Sequence, residues 1–172
     1  MFCLKNKKGE SMAKKRLKLD IGCGTVRRPG FIGIDCNPGC NPDIIRNMDS
    51  MFDIELDEET NVEHIWMDNS IEHFKYPSNI LKLCWNFLVD DGVIEMKVPN
   101  AQWYPFLVIG WFVDIHKFWN WWMSREWKKE RGLHYTLWTP YTAKLLLESL
   151  NFRNVTVKGW YLGKQFYVRA QK

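Results

Sequence analysis

Asp20, Gly22, Gly24 and Asp35 are the residues whose types and spacing could hold a small ligand. They sit on two apolar runs. Leu17-Lys18-Leu19-Asp20-Ile21 leads directly into Gly22-Cys23-Gly24, and Phe31-Ile32-Gly33-Ile34 ends on Asp35. Glycines at the carboxyl end of a strand let a ligand approach the backbone where a Cβ would block it. An acid capping the neighbouring strand can accept hydrogen bonds from both hydroxyls of a ribose. Together they point to a nucleoside-bearing cofactor on an open α/β sheet.

The spacing argues against a dinucleotide. A nicotinamide-binding turn would place a third glycine at position 27, which is Arg27, and its ribose acid about twenty residues on. Asp35 follows Gly24 by eleven. A nicotinamide-dependent oxidoreductase is therefore the weaker cofactor reading, and a glycine turn with a purely structural role is the bland one.

The elements that must position these residues can be read from periodicity. Strands are predicted over 17–21, 31–34, 43–46, 62–67 and 93–98. A helix over 78–88 places apolar residues at 80, 81, 83, 84, 87 and 88, with Ser78 as its N-cap. Asp90-Asp91-Gly92 reads as the turn into the next strand. Thr139-Pro140 starts a second helix over 141–150. Runs at 155–162 and 165–170, separated by Gly163-Lys164, read as a closing β-hairpin. The expected fold is α/β: one Rossmann-like domain over 16–172, with a mostly parallel sheet and a C-terminal antiparallel hairpin. One feature resists this order. Only residues 25–30 join the first two strands, whereas a parallel crossover normally needs a dozen or more. Either a compact loop replaces the helix, or the two strands are not parallel neighbours.

Length and composition agree with one domain. A chain of 172 residues with 46% hydrophobic residues can bury a real core. The net charge of +4 belongs to the start: residues 1–16 hold six basic side chains against one acid, Glu10. The rest is nearly neutral, which argues against nucleic acid as a partner. Residues 1–15 read as a basic, disordered tail, and Met12 is an alternative start to Met1. Five cysteines without framework spacing predict a reduced, cytoplasmic chain, and no apolar stretch follows the basic start. Cys36-x3-Cys40 lacks a second ligand pair, so no metal is expected.

The downstream segments HIWMDNSIEHF (64–74) and FLVDDGVIEMKVPN (87–100), taken with Asp20-x-Gly22-x-Gly24 and Asp35, resemble class I S-adenosylmethionine-dependent methyltransferases. More narrowly, the chain is similar to the small type-11 group with a shortened first loop. The resemblance implies a compact link between the first two strands and S-adenosylmethionine as cofactor. Gly22 and Gly24 would pass close to its methionine part, with Asp20 near the amino group and Asp35 on the ribose hydroxyls. Asn47, Met48 and Asp49 would line the adenine. Met67, Asp68 and Asn69 would sit beside the methionine moiety and the transferable methyl. Asn69 stands where relatives often carry histidine. Glu72-His73 match the family's Glu-His pair, with a structural role as open as a catalytic one. His134 and Asp68 are the candidate general bases, beside His73 and His116. The chain lacks the Asn/Asp-Pro-Pro-aromatic motif and the nucleophilic-cysteine context of nucleic-acid methylating enzymes.

Aromatic residues make up 15% of the chain, and six of its ten tryptophans fall between 103 and 127. This insertion, about 101–131, follows the fifth strand. It admits three readings: a packed lid, an aromatic acceptor site, or a surface for a peripheral membrane or partner contact. The apolar stretch 104–113 is too short to span a membrane. The expected activity is methyl transfer to a small-molecule, lipid-linked or saccharide acceptor. The alternative is a non-catalytic binding module of the same fold, docking a partner through the insertion. Oligomeric state is open.

Overall fold

The computed structural model describes residues 16–47, 61–102, 135–159 and 163–172. In chain order they form β1 (Arg16–Ile21), β2 (Ile32–Asp35), β3 (Ile44–Ile45), β4 (Asn61–Asp68), α1 (Pro77–Phe87), β5 (Leu88–Pro99), α2 (Pro140–Ser149), β6 (Arg153–Lys158) and β7 (Gln165–Gln171). Short 3-10 turns occupy Pro38–Cys40 and Ile71–His73. The strands make one sheet in the order β3-β2-β1-β4-β5-β7-β6. β7 runs antiparallel to β5 and β6, and the other pairs are parallel.

Alternation along the strands gives the sheet two unlike faces. Leu19, Ile65, Ile94 and Ala170 stand side by side across β1, β4, β5 and β7, and all are buried. Ile80, Leu81 and Cys84 of α1, with Ala143 and Leu147 of α2, complete a single core on this face. The next row, Asp20, Trp66, Glu95 and Arg169, points the other way. That face is polar, and its long side chains satisfy one another. Glu95 accepts from Arg169 Nη1 at 2.7 Å and from His64 Nε2 at 2.9 Å. Burial foremost keeps His64 below its ordinary value despite Glu95, so this contact joins a neutral imidazole to a carboxylate. Burial alone would raise the Glu95 carboxyl. Hydrogen bonds from Tyr167, His64 and Arg169 outweigh it and hold Glu95 low.

The short link resolves in favour of a compact loop. β1 and β2 are parallel neighbours, with Leu19 opposite Ile32, although residues 22–31 contain no helix. Gly22 N and Cys23 N both donate to Ile34 O, at 2.8 and 3.2 Å, which ties the start of the loop to the end of β2. The loop covers the polar face with two side chains. The Arg28 guanidinium lies 3.7 Å from the Trp66 ring centroid, and Phe31 meets the His64 ring edge-on at 5.0 Å.

Three local expectations are corrected. α1 begins at Pro77, not Ser78, and no side chain caps it. Proline suits the first helical position because the N–H it lacks would have no partner there. Asp90-Asp91-Gly92 is not a turn before β5 but a bulge inside it: Val62 pairs with Leu88, and His64 next pairs with Val93. β6 starts at Arg153 and ends at Lys158, earlier than predicted at both ends. By contrast, Thr139 caps α2 as its sequence indicates. It forms a reciprocal box with Thr142, at 3.1 and 3.0 Å.

The close packing of the loop on β2 is testable. A Cβ at Gly33 would lie 2.9 Å from Cys23 Sγ. Gly33→Ala is expected to lose about 1–3 kcal/mol in urea unfolding. Cys23→Ala should recover most of that loss in the double variant, because the colliding atom is gone.

Candidate functional site

The carboxyl ends of β1, β2 and β4 bring together most of the residues singled out above. Gly22 and Gly24 both have positive φ, 71° and 56°. Gly24 N donates to Asp35 Oδ2 at 2.9 Å, and Asn37 N donates to Asp35 Oδ1 at 2.9 Å. Two backbone amides therefore aim the Asp35 carboxylate, and each oxygen keeps acceptor capacity for a ligand. A Cβ on Gly24 would meet nothing within 4 Å, so space for a ligand lies beside the turn. The loop after β2 is itself braced. Asp43 accepts from Gly33 N at 2.7 Å and from Arg27 Nη2 at 2.5 Å, while Arg27 Nη1 donates to Asn41 O.

Asp20 is 4% exposed, and burial pushes its carboxyl up to about 6. Arg28 and Arg27 oppose that shift; Asp68 and Asp35 add to it. Asp68 ends β4 with its side chain 41% exposed. Its Oδ1 accepts from Asn69 Nδ2 at 2.7 Å and lies 3.6 Å from Lys97 Nζ. Asn69 is in the left-handed region, φ 48°, and its Oδ1 accepts from Gln165 Nε2 at 2.8 Å. Both ends of the Asn69 amide are thus occupied, and its role here is to orient Asp68. Ser70 Oγ donates to Ile21 O at 2.9 Å and staples the end of β4 to the glycine turn.

The remaining predicted residues divide. The Met67 side chain is fully buried in the core on the opposite face, so only its main chain can border the site. Alternation forces this: Asp68 faces the site, so Met67 cannot. Asn47 is exposed just beyond β3. Met48, Asp49, His116 and His134 lie outside the described residues, as does nearly all of the aromatic insertion.

Sequence reasoning missed Arg28, Ser70, Lys97 and Gln165. Each reaches the site through a partner far away in the chain, which no local pattern signals. Glu72 was noted only as half of a pair. It is 1% exposed, and neither carboxylate oxygen has a hydrogen-bond partner among the described residues. Burial, with Asp68 nearby, pushes it up to about 8, so it is predominantly neutral at pH 7. Its carbonyl accepts from Tyr135 N at 2.9 Å and Thr136 N at 3.3 Å. A cleft of about 380 Å³ opens elsewhere, at the amino ends of the strands. Arg16, Lys18 and Arg169 in its lining are already paired with acids. Among the described residues no group of acids, histidines and cysteines could hold a metal ion.

Comparison with known proteins places the fold. No family model matches the sequence, and no curated protein matches it. Solved structures do. An S-adenosylmethionine-dependent methyltransferase from Archaeoglobus fulgidus superposes with a TM-score of 0.63 at 16% identity, over 91% of this chain and 86% of that one. One from Thermotoga maritima, described as a possible histamine N-methyltransferase, gives 0.66 at 13% identity over 94% and 84%. One from Mesorhizobium loti gives 0.63 at 10% over 91% and 90%. The chain has the class I, Rossmann-like methyltransferase fold, a mixed seven-stranded sheet with the antiparallel β6–β7 pair at its C-terminal end. No helix among the described residues is long and apolar enough to cross a membrane.

The state of Glu72 sets a pH dependence. Between its ordinary value of 4.5 and about 8, the folded protein holds a proton that the unfolded chain releases. Stability therefore falls as pH rises through that window. Glu72→Gln is expected to remove this slope, melting above wild type near pH 9 and close to it near pH 5. Thermal melts across that range check it.

Proposed function

We propose that this chain transfers a methyl group from S-adenosylmethionine to a small-molecule, lipid-linked or saccharide acceptor, as a type-11-like member of the class I methyltransferases. The observation that carries the reading is the Asp35 carboxylate, aimed by the Gly24 and Asn37 amides next to open space at Gly24. That is the arrangement a ribose with two neighbouring hydroxyls requires. Asp20 would receive the ammonium of the methionine end. Gly22 and Gly24 would let the backbone follow the ligand, and Asn47 would stand at the adenine side. The three solved structures compared above, each described as an S-adenosylmethionine-dependent methyltransferase, support the same cofactor.

When bound, S-adenosylmethionine supplies a methyl group on a sulfonium, an electrophile whose leaving group is already activated. What the protein must do is hold the acceptor in line and exclude water. Asp68, oriented by Asn69 and near Lys97, is the described group best placed to direct an acceptor or take its proton. Glu72, neutral and enclosed, would serve as a hydrogen-bond donor. A proton need be removed only when the acceptor is a hydroxyl or an ammonium-like amine.

A second reading rests on Asn69. With both ends of its amide engaged, that position offers no base, which suits a binding module that has kept the fold without turnover. Saturable cofactor binding without product over a broad acceptor panel, together with a stable partner complex, would select it.

Calorimetry with S-adenosylmethionine and S-adenosylhomocysteine tests the cofactor. Wild type is expected to bind both, and Asp35→Ala to lose about 2–4 kcal/mol of affinity. Unchanged binding in Asp35→Ala, or none in wild type, would remove the assignment. Because Asp20 titrates near 6, affinity for the cationic ammonium should fall as pH drops below that value. Binding near pH 6 should release protons in wild type and not in Asp20→Asn.

A further inference from the structure

We propose that Arg28 anchors the carboxylate of the cofactor's methionine end and makes this site selective for a cofactor that carries an α-amino acid. The inference rests on the S-adenosylmethionine reading above. In a doubly wound sheet the first strand turns into a helix, whose N-terminal amides and dipole hold an anion. Here residues 22–31 contain no helix, so that positive end is missing from the first turn. A charge for an anionic group must come from a side chain.

The link holds two arginines, and only one is committed. Arg27 is bound to Asp43 and to Asn41 O. The Arg28 side chain has no ion pair and no hydrogen bond among the described residues; only its carbonyl is engaged, accepting from Phe31 N at 3.2 Å. Its guanidinium is half-buried, 3.7 Å from the Trp66 centroid and 5.5 Å from that of Phe31. A guanidinium stacked on an aromatic ring keeps its N–H donors at the edge, where they match the two oxygens of a carboxylate. Partial burial without an anion is costly to a cation, and a bound carboxylate offsets that cost.

The neighbour of this cation fixes what it would recognise. Trp66 and Asp20 are partners in the β4–β1 register, and Arg28 acts electrostatically on the Asp20 carboxylate. Asp20 is one residue before the end of β1, directly below Gly22. A guanidinium without an ion pair among the described residues and a buried acid therefore stand on one sheet face beneath the glycine turn. Their charges complement those of a zwitterion, with its ammonium toward Asp20 and its carboxylate toward Arg28. The competing explanation is that Arg28 only packs on Trp66 and screens Asp20.

Decarboxylated S-adenosylmethionine separates the two. It keeps the adenosine, the sulfonium and the amine and lacks only the carboxylate. Calorimetry would compare it with S-adenosylmethionine on the full chain, for wild type, Arg28→Met and Arg28→Lys, each checked by thermal melting. Wild type is expected to prefer the intact cofactor by roughly 10- to 100-fold. Arg28→Met should bind both ligands equally, at about the wild-type affinity for the decarboxylated one. Arg28→Lys, which keeps the charge but not the planar fork, should fall between. If Arg28→Met keeps the wild-type preference, or weakens both ligands alike, the proposal is overturned. Wild-type binding of both ligands without preference overturns it too and leaves the cofactor assignment standing. Wild-type binding of neither ligand removes both.

Discussion

Much of this structure follows from one constraint: β1 and β2 pair in parallel across a link with no helix. A parallel sheet is normally covered on both faces, because each crossover lays a helix on it. Without the first helix, the face it would cover must be closed by side chains of the link and by polar pairing across the strands. The alternating residues of β1, β4, β5 and β7 meet that condition. Asp20, Glu95 and Arg169 occupy one row of that side, and Trp66 among them is sealed by Arg28 and Tyr167. The opposite face is apolar throughout and takes both helices. The chain thus keeps a Rossmann-like sheet with the helices of its described residues on one side.

The same constraint shapes the site. A cluster of acids gathers where the strands end, and each is in a different state because its surroundings differ. Asp35 accepts two backbone amides and is held in one orientation. Asp20 is buried with weakly opposing charges, and its carboxyl is pushed up to about 6. Glu72 is enclosed without a partner and keeps its proton. Asp68 is half-exposed and ties to Asn69 and Lys97. In the proposed function one chemical type would thereby supply a hydroxyl acceptor, an ammonium acceptor, a neutral donor and a carboxylate facing the open side. Among the described residues the cations that balance them are few: Arg27 braces the loop, Lys97 adjoins Asp68, and the Arg28 guanidinium has no ion pair.

Legibility in the sequence followed the range of the interaction. Strand β1, the glycine turn, Asp35 and the Thr139 cap all showed, because each depends on residues within a few positions. The errors came where local rules competed. Pro77 and Ser78 both signal a helix start, and proline took the first position. Asp90-Asp91-Gly92 has turn chemistry, but pairing with β4 on both sides absorbed it as a bulge. Met67 was grouped with Asp68 although alternation sends the two to opposite faces. Asn69 read as a missing base; only its bonds to Asp68 and Gln165 show it as a positioning residue.

By itself the sequence determined the α/β order, the glycine turn and the acid facing it. These rest on backbone freedom at glycine and on short-range periodicity, which any folded form of the chain must respect. Tertiary structure alone decided that the first two strands are parallel neighbours, that one sheet face stays polar, and that Glu72 keeps its proton. It also decided which of two adjacent arginines is tied to an acid of the loop. Arg27 finds Asp43 sixteen residues away, and among the described residues the Arg28 guanidinium finds the rings of Trp66 and Phe31. Burial and charge pairing depend on residues brought together across the sheet, and that information is absent from any local stretch of the chain.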